Sequence, residues 1–323
     1  MQNRKQSLAF ILKIFAPALA AAVCLAVQAL VPDASTQPKA KHPYFTYFML
    51  AMVALQILLA VRALVSKRGA QKVLGRWAFR SVVFLVLTVF NYVIAKRALF
   101  PILYFPTYDR ILGVLVEERA VVLKCLLYSL RLLLFGYFGG AIIGFFTGVS
   151  MGFSRKVSYW LSTPVHLVGP MPSTAWIPIL LVIFPSAFSA SAVLIGIAVW
   201  FPVTLMTASG ISNISQTYFD VAGILGARRA QQIVRVGIPA AAPHIFLGVF
   251  NGACMSFITL VVAELIGAKY GIGWYINWQK EMLAYANVYA GLIVIAIVFS
   301  LLVTALFRLR DVALVWQKGV IKW

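Results

Sequence analysis

The sequence of 323 residues is too apolar and too poor in charge for a water-soluble globular protein. Hydrophobic residues make up 62% of it and charged residues 11%, whereas soluble domains are about half apolar and about a quarter charged. This composition excludes a soluble enzyme, a disordered chain and a secreted disulfide scaffold. The net charge of +20 comes mostly from residues between apolar runs, which indicates a bilayer rather than a nucleic acid as the partner.

The apolar runs predict an all-α, polytopic membrane protein, because a spanning helix needs about 20 mainly apolar residues. Eight spans are predicted, at 8–31, 44–65, 80–100, 121–149, 157–184, 190–210, 240–265 and 284–307. The first span has the basic start of a signal peptide, but its length favours a retained helix. We expect the fifth span to be broken or kinked, because prolines recur within it. These prolines are Pro164, Pro170, Pro172 and Pro178.

Basic residues predict the orientation of the spans. If the N-terminus is cytoplasmic, most Lys and Arg residues fall on the cytoplasmic side, and both termini then lie there. Lys96 and Arg97 fall on the outer side and count mildly against this orientation, although such side chains can snorkel outward from a helix end. The basic stretch 66–80 separates a two-helix N-terminal extension, 1–75, from the remainder, 76–323. Segment 106–118 predicts an amphipathic helix at the outer interface.

Glycines recur every fourth residue along the fourth predicted span, which places them on one face of a helix. They are Gly136, Gly140, Gly144, Gly148 and Gly152. In lipid, such a face marks close approach of a neighbouring backbone. The neighbour is either another helix of the same subunit, which we favour, or a second subunit that contacts or slides along this face.

The connection at about 212–239 is too polar to cross the membrane but contains helix-forming patches. We expect Asp220 to lie near a helix N-terminus, where a carboxylate is favourable. Gly226 permits a bend between two short helices, and Pro239 stands where the next span should begin. The segment is either a compact helical knob that docks on a soluble partner or a solvated loop.

Two charged residues inside predicted spans, Arg131 and Glu264, are candidates for the pathway or gate, because isolated charge in lipid is costly. For either residue the alternative is a structural role, in which it stabilises a bend or pairs with the backbone. The sequence offers no His, Cys, Asp and Glu spacing typical of a metal site and no nucleophile–base set. We therefore predict no metal site and no catalytic residue on this chain.

One pattern within 212–239 resembles the EAA loop of ABC importer permeases. Asp220-Val221-Ala222 is followed after three residues by Gly226 and after nine more by Val236-Gly237-Ile238-Pro239. Asp220 and Val221 depart from the family's Glu and Ala. Further motifs are similar in order to the nitrate/sulfonate/taurine branch. These are Ser129–Arg131, Gly169–Pro172, Ile177–Pro178, Val261–Gly267 and Gly271–Gly273.

The resemblance, which covers about 105–310, implies a six-helix type I permease core preceded by two extra helices. It implies that the loop couples to an ATP-binding cassette ATPase subunit through Asp220, Val221, Ala222, Gly223, Gly226, Ala227, Arg228 and Pro239. ATP and magnesium would be bound by that partner, since this sequence has no Walker A pattern, and this chain would hold no cofactor. The other implied partners are a second permease subunit, expected to be identical, and an extracytoplasmic solute-binding protein.

The function expected from the resemblance is transport of a small solute, such as a sulfonate, taurine or nitrate, across the bacterial inner membrane. The chain itself would not be an enzyme. The rival hypothesis is a self-sufficient secondary transporter or channel, which would need intramembrane ion sites and usually repeat symmetry. A membrane-embedded enzyme ranks third, because no catalytic constellation is visible.

Overall fold

The computed structural model describes residues 2–32, 41–65, 75–101, 103–169, 171–265 and 268–315, and within this part every regular element is helical. The longer helices are α1 (Gln2–Leu30), α2 (Tyr44–Val65), α3 (Trp77–Asn91), α5 (Arg119–Phe153), α8 (Ala187–Ser212), α11 (Ile238–Glu264) and α13 (Tyr285–Ala313). The shorter ones are α4 (Tyr108–Glu117), α6 (Arg155–Val168), α7 (Ile177–Ile183), α9 (Gln216–Ile224), α10 (Arg229–Gln231) and α12 (Ile272–Glu281).

The predicted all-α membrane fold is confirmed. Seven helices of the described part are long and apolar enough to span a bilayer, and they coincide with all predicted spans except the fifth. The predicted outer helix at 106–118 corresponds to α4.

The fifth predicted span, 157–184, is not a continuous helix. It consists of α6 and, after the break, a 3₁₀ turn at Ser173–Trp176 that leads into α7, and the two halves are bent by 96°. Pro172 lies in the break and cannot donate a backbone hydrogen bond, and Pro178 lies at the start of α7, where a proline is tolerated. The number of spans therefore reaches eight only if this bent pair counts as one.

The chain divides into two compact units, Met1–Arg119 with Gln279–Ala290, and Ala120–Trp278 with Gly291–Trp323. In the first unit, α1 packs on both α2 and α3. Ala21, Cys24, Phe45, Met49 and Phe84 belong to its buried core. The first unit thus joins the two extra helices to α3, whereas the predicted boundary near residue 75 rests on the basic stretch 66–80 and stays a prediction.

Polar side chains connect four helices of the first unit, α1 to α4. The Asp109 carboxylate of α4 accepts hydrogen bonds from Gln28 Nε2 at 3.0 Å and from the Phe45 backbone N–H at 2.9 Å. Asn91 Nδ2 donates to Gln28 Oε1 at 2.8 Å, and Lys96 Nζ donates to the Gln28 carbonyl at 2.9 Å. The Lys96 side chain therefore does not snorkel toward water: the residue is 4% exposed, and its ammonium donates a hydrogen bond to a carbonyl in the last turn of α1.

In the second unit, α8 lies between α5 and α11. Buried Leu132 and Leu133 of α5, Ile195 and Val199 of α8, and Leu260 of α11 form its main apolar core. The loop that connects α8 to α11, described next, extends from one end of this arrangement.

Candidate functional site

The interhelical loop, residues 212–239, contains α9, α10 and a π-helical turn, Gln232–Gly237, that leads into α11. Pro239 is the second residue of α11, so the predicted start of that helix is confirmed. The predicted position of Asp220 is wrong, because α9 begins at Gln216 and Asp220 lies in its middle. The Asp220 carboxylate accepts a hydrogen bond from Gln216 Nε2 at 3.3 Å on an exposed surface.

Gly226 makes the predicted bend. Its φ is +80°, a left-handed conformation that suits the residue just past a helix end. The Ala227 N–H donates to the Ala222 carbonyl at 2.9 Å, and the Gly226 N–H donates to the Gly223 carbonyl at 2.9 Å. This pair of bonds is a Schellman motif, which ends α9 and turns the chain toward α10.

Two glutamines that the sequence analysis did not select hold the other side of the bend. The Arg228 backbone N–H donates to Gln231 Oε1 at 2.8 Å, as in a capping box. Gln232 Nε2 donates to the Ala227 carbonyl at 3.3 Å, which connects the π-helical turn to the bend. Neither glutamine is marked by a local pattern, because an arginine at position 228 cannot accept the hydrogen bond that a Ser or Thr makes in a capping box.

Phe153, the last residue of α5, joins the loop to the membrane helices. Its ring lies perpendicular to that of Phe219 in α9, with the centroids 5.8 Å apart. It also fills the space where Gly237, at the end of the π-helical turn, lacks a side chain. One residue earlier, Gly152 lies against Ile211 near the end of α8. The ends of α5 and α8, helix α9 and the turn before α11 therefore meet around this ring.

Helix α9 and the residue after it expose several apolar side chains to solvent. Ile224 and Leu225 are 86% and 81% exposed, and Tyr218 and Val221 are also exposed beside them. A contiguous exposed apolar patch of this kind marks an interaction surface. Of the predicted coupling residues, all but Pro239 lie in or next to α9 and its bend.

The five glycines of α5 lie against α8 of the same chain. A methyl group on Gly136 would come within 2.6 Å of Ile195 Cβ, and one on Gly148 would come within 2.6 Å of Thr207 Cβ. Gly140 faces the Gly196 backbone, Gly144 lies by Val203, and Gly152 by Ile211. The close approach expected of this face is thus made within one subunit.

Glu264 is 1% exposed and binds the beginning of α12. Its carboxylate accepts from Ser129 Oγ at 2.5 Å and from the Gly273 N–H at 2.7 Å. Ser129 Oγ in turn accepts from the Ile272 N–H at 2.8 Å. Gly271 has φ +146° and leaves no room for a side chain, since a Cβ added there would lie 2.5 Å from the carboxyl carbon of Glu264. The sequence could not reveal this set, because Ser129 is distant along the chain.

Arg131, the other charged candidate, lies on the exposed surface of α5. Its guanidinium carbon is 5.2 Å from the ring centroid of Phe188 and 6.0 Å from that of Phe135. Within the described part of the chain, no carboxylate pairs with it. The structure does not bring Arg131 and Glu264 together into one bonded set.

Comparison with known proteins gives a consistent result. The chain is 34% identical over 160 residues to the taurine transport system permease protein TauC of Escherichia coli (50% of this chain, 58% of that one). It is 30% identical over 184 residues to the putative aliphatic sulfonates transport permease protein SsuC of Bacillus subtilis (57% and 67%). The chain thus spans about three fifths of these relatives' length.

The fold has solved counterparts. A chain of the MetNI methionine ABC transporter in an inward-facing conformation superposes with a TM-score of 0.53 at 18% identity, covering 60% of this chain and 96% of that one. Residues 140–313, more than half of the sequence, match the family described as the inner membrane component of binding-protein-dependent transport systems. The chain belongs to that family.

Proposed function

We propose that the chain is the permease subunit of an ATP-driven importer and forms half of the path for a small solute. The observation that carries the proposal is the interhelical loop: two short helices with an exposed apolar face, attached through Phe153 to the ends of the membrane helices. A displacement applied to such a rigid, anchored element is passed to the helices that hold it. The family membership agrees with this use of the loop.

The proposed partner at the loop is an ATP-binding cassette subunit that binds ATP and magnesium. Its groove would receive α9, with Val221, Ile224 and Leu225 as apolar contacts and Asp220 as the exposed charge. A second copy of the permease would complete the path, and an extracytoplasmic solute-binding protein would deliver the solute. Arg228, Arg229 and Arg235 support a cytoplasmic loop in a bacterial inner membrane. With the bent pair counted as one span, both termini are then cytoplasmic as well.

The proposed solute is a small organic or oxyanionic molecule such as a sulfonate, taurine or nitrate. Proteins similar to this chain are named as permeases for taurine, aliphatic sulfonates and nitrate, which supports this choice. A Glu264 carboxylate in the path would repel an anionic solute, but its burial against Ser129 and Gly273 removes that objection. Arg131, exposed on α5, is the candidate pathway charge.

Transport would proceed by alternating access. ATP binding would close the cassette dimer and bring together the interhelical loops of the two permease copies, which would open the translocation path to the outside. Hydrolysis would return the transporter to its starting state. The chain's own contribution is the transmission of this movement through the Gly226 bend and the Phe153 ring, without any chemical step.

Gly226 supplies the test of coupling. Its missing Cβ would meet open space, so a substitution acts only through the backbone conformation. Gly226→Val should disfavour φ +80° by about 1–2 kcal/mol and shift the bend, whereas Gly226→Asn should tolerate it. In proteoliposomes with the cassette and binding proteins, we expect the Val variant to keep ATPase activity and lose most transport. The Asn variant should keep both.

Two results would contradict the proposal. Full transport by Gly226→Val would show that the bend does not transmit movement. Solute uptake by the purified chain in vesicles that lack any ATPase would instead favour the self-sufficient secondary transporter.

A further inference from the structure

A cavity of about 810 Å³ opens in the second unit beside the interhelical loop. Its wall is formed by the end of α5, the first half of α6, the end of α8, and α9 with α10. The volume falls in the range typical of ligand pockets and greatly exceeds that of a single ion or water. The transport proposal assigns nothing to it.

The lining of this cavity favours a negative charge. It contains two guanidinium groups, those of Arg155 and Arg229, and no Asp or Glu residue. Within the described part of the chain, neither arginine has a carboxylate partner. The hydroxyl-bearing residues Ser158 and Tyr159 stand on the same wall. Positive charge and donors without an opposing carboxylate make a complementary environment for an anion.

Guanidinium groups are particularly suited to phosphate. Each presents a planar fork of N–H donors that matches two phosphate oxygens, and such charge-assisted pairs are among the stronger hydrogen bonds. Arg155 begins α6, whereas Arg229 begins α10, so two separate elements supply the two forks. An anion held between them would connect α6 to the interhelical loop.

The surroundings of the cavity resemble the headgroup level of a bilayer. Arg155 and Lys156 are followed by Tyr159 and Trp160, whose side chains are 74% and 76% exposed. Basic residues and exposed aromatic rings at the end of a membrane helix are typical of the membrane interface. The phosphate group of a lipid would therefore lie at the same depth in the membrane as the cavity.

We propose that Arg155 and Arg229 form a binding site for a phosphate-bearing anion, supplied by an anionic lipid headgroup or by free phosphate. The site needs only the described geometry and stands whether or not the chain transports a solute. An anion bound there would add a connection between the loop and α6 to the packing of the loop on Phe153.

The test compares two double variants of the full chain. Arg155→Gln with Arg229→Gln removes both lining charges, and Lys156→Gln with Arg235→Gln removes the same charge from residues outside the lining. The chain is placed in phosphatidylcholine nanodiscs with or without phosphatidylglycerol, and retained phosphatidylglycerol is counted by native mass spectrometry. We expect about tenfold weaker retention in the lining variant only. A second arm adds inorganic pyrophosphate to the detergent-solubilised chain and measures the thermal unfolding midpoint.

The outcomes separate the sources. Phosphatidylglycerol retention that depends on the lining arginines supports the lipid source, and a pyrophosphate-induced midpoint rise that depends on them supports free phosphate. Equal loss in both double variants would mean general surface attraction and would overturn the site, as would the absence of both effects. If the lining variant does not fold, Ser158→Leu narrows the cavity without changing charge and should likewise weaken retention.

Discussion

Glu264 illustrates, at the scale of one residue, how a carboxylate in a membrane helix can serve the backbone instead of a solute. The N–H groups that begin α12 have no partner within their own helix. Glu264 and Ser129 accept from two of them, at Gly273 and Ile272. The pairing with the backbone, weighed from the sequence as the alternative to a gate, is the geometry found.

This geometry gives a test of Glu264 that separates the two roles. Glu264→Ala leaves the Gly273 N–H and the Ser129 hydroxyl without their acceptor in a buried site, a cost of about 1–3 kcal/mol. We expect a lower thermal unfolding midpoint and an unchanged preference between anionic and neutral solutes. The exposed carboxylate of Glu117, which accepts a long surface hydrogen bond from Tyr44 Oη at 3.5 Å, provides the control, since Glu117→Ala should change the midpoint little. A changed solute preference at an unchanged midpoint would restore Glu264 to the pathway.

A residue's role was predictable where it depends on neighbouring residues in the sequence, and not where it depends on contacts with distant ones. The bend at Gly226 was predictable because the residue just past a helix end is commonly a left-handed glycine, and a short stretch of sequence shows this. Asp220 was placed at a helix start because the boundary of α9 could not be fixed from its polar sequence, and helix ends are the least certain part of such predictions. The bond between Ser129 and Glu264 depends on tertiary packing alone.

At the scale of elements, the contact between α5 and α8 depends on glycines that leave no room for a side chain. Gly148→Ala would force a methyl group to within 2.7 Å of the Thr204 carbonyl oxygen, and overpacking of this kind costs about 1–3 kcal/mol. Gly139 lies on the same helix with open space at its Cβ position, so Gly139→Ala should be neutral or slightly stabilising. Thermal unfolding of the two variants in detergent checks this difference.

The opposite result would change the interpretation of this face. Equal midpoints for the Gly139 and Gly148 variants would mean that α5 and α8 can separate without cost. The glycines would then serve a contact with a second subunit.

Continuous membrane helices were predictable from composition, whereas the geometry of the broken one was not. The spans at 44–65 and 284–307 are continuous apolar runs, and α2 and α13 occupy them. In 157–184, the prolines predicted a break but not its angle, because a bend of 96° depends on what packs beside it. Ser173 Oγ lies 3.1 Å from Thr259 Oγ1 of α11, a contact that cannot be predicted from the sequence around either residue.

At the scale of the whole molecule, the proposed orientation can be measured directly. In a variant whose native cysteines are replaced, Ala230→Cys lies on the exposed surface of α10 and Lys269→Cys is exposed before α12. Expressed without partners in intact cells, residue 269 should react with a membrane-impermeant maleimide and residue 230 should not. Inverted vesicles should reverse the pattern. Labelling of residue 230 in intact cells would place the loop outside and exclude coupling to a cytoplasmic ATPase.

The position of α8 has a mechanical consequence. Its backbone touches glycines of α5 on one side, and Gly248 and Gly252 of α11 on the other. Beside these close contacts, Leu132 and Leu260 fill the core that the three helices share. We therefore expect the three helices to move as one body, so that a push at the ends joined by Phe153 is carried to their opposite ends.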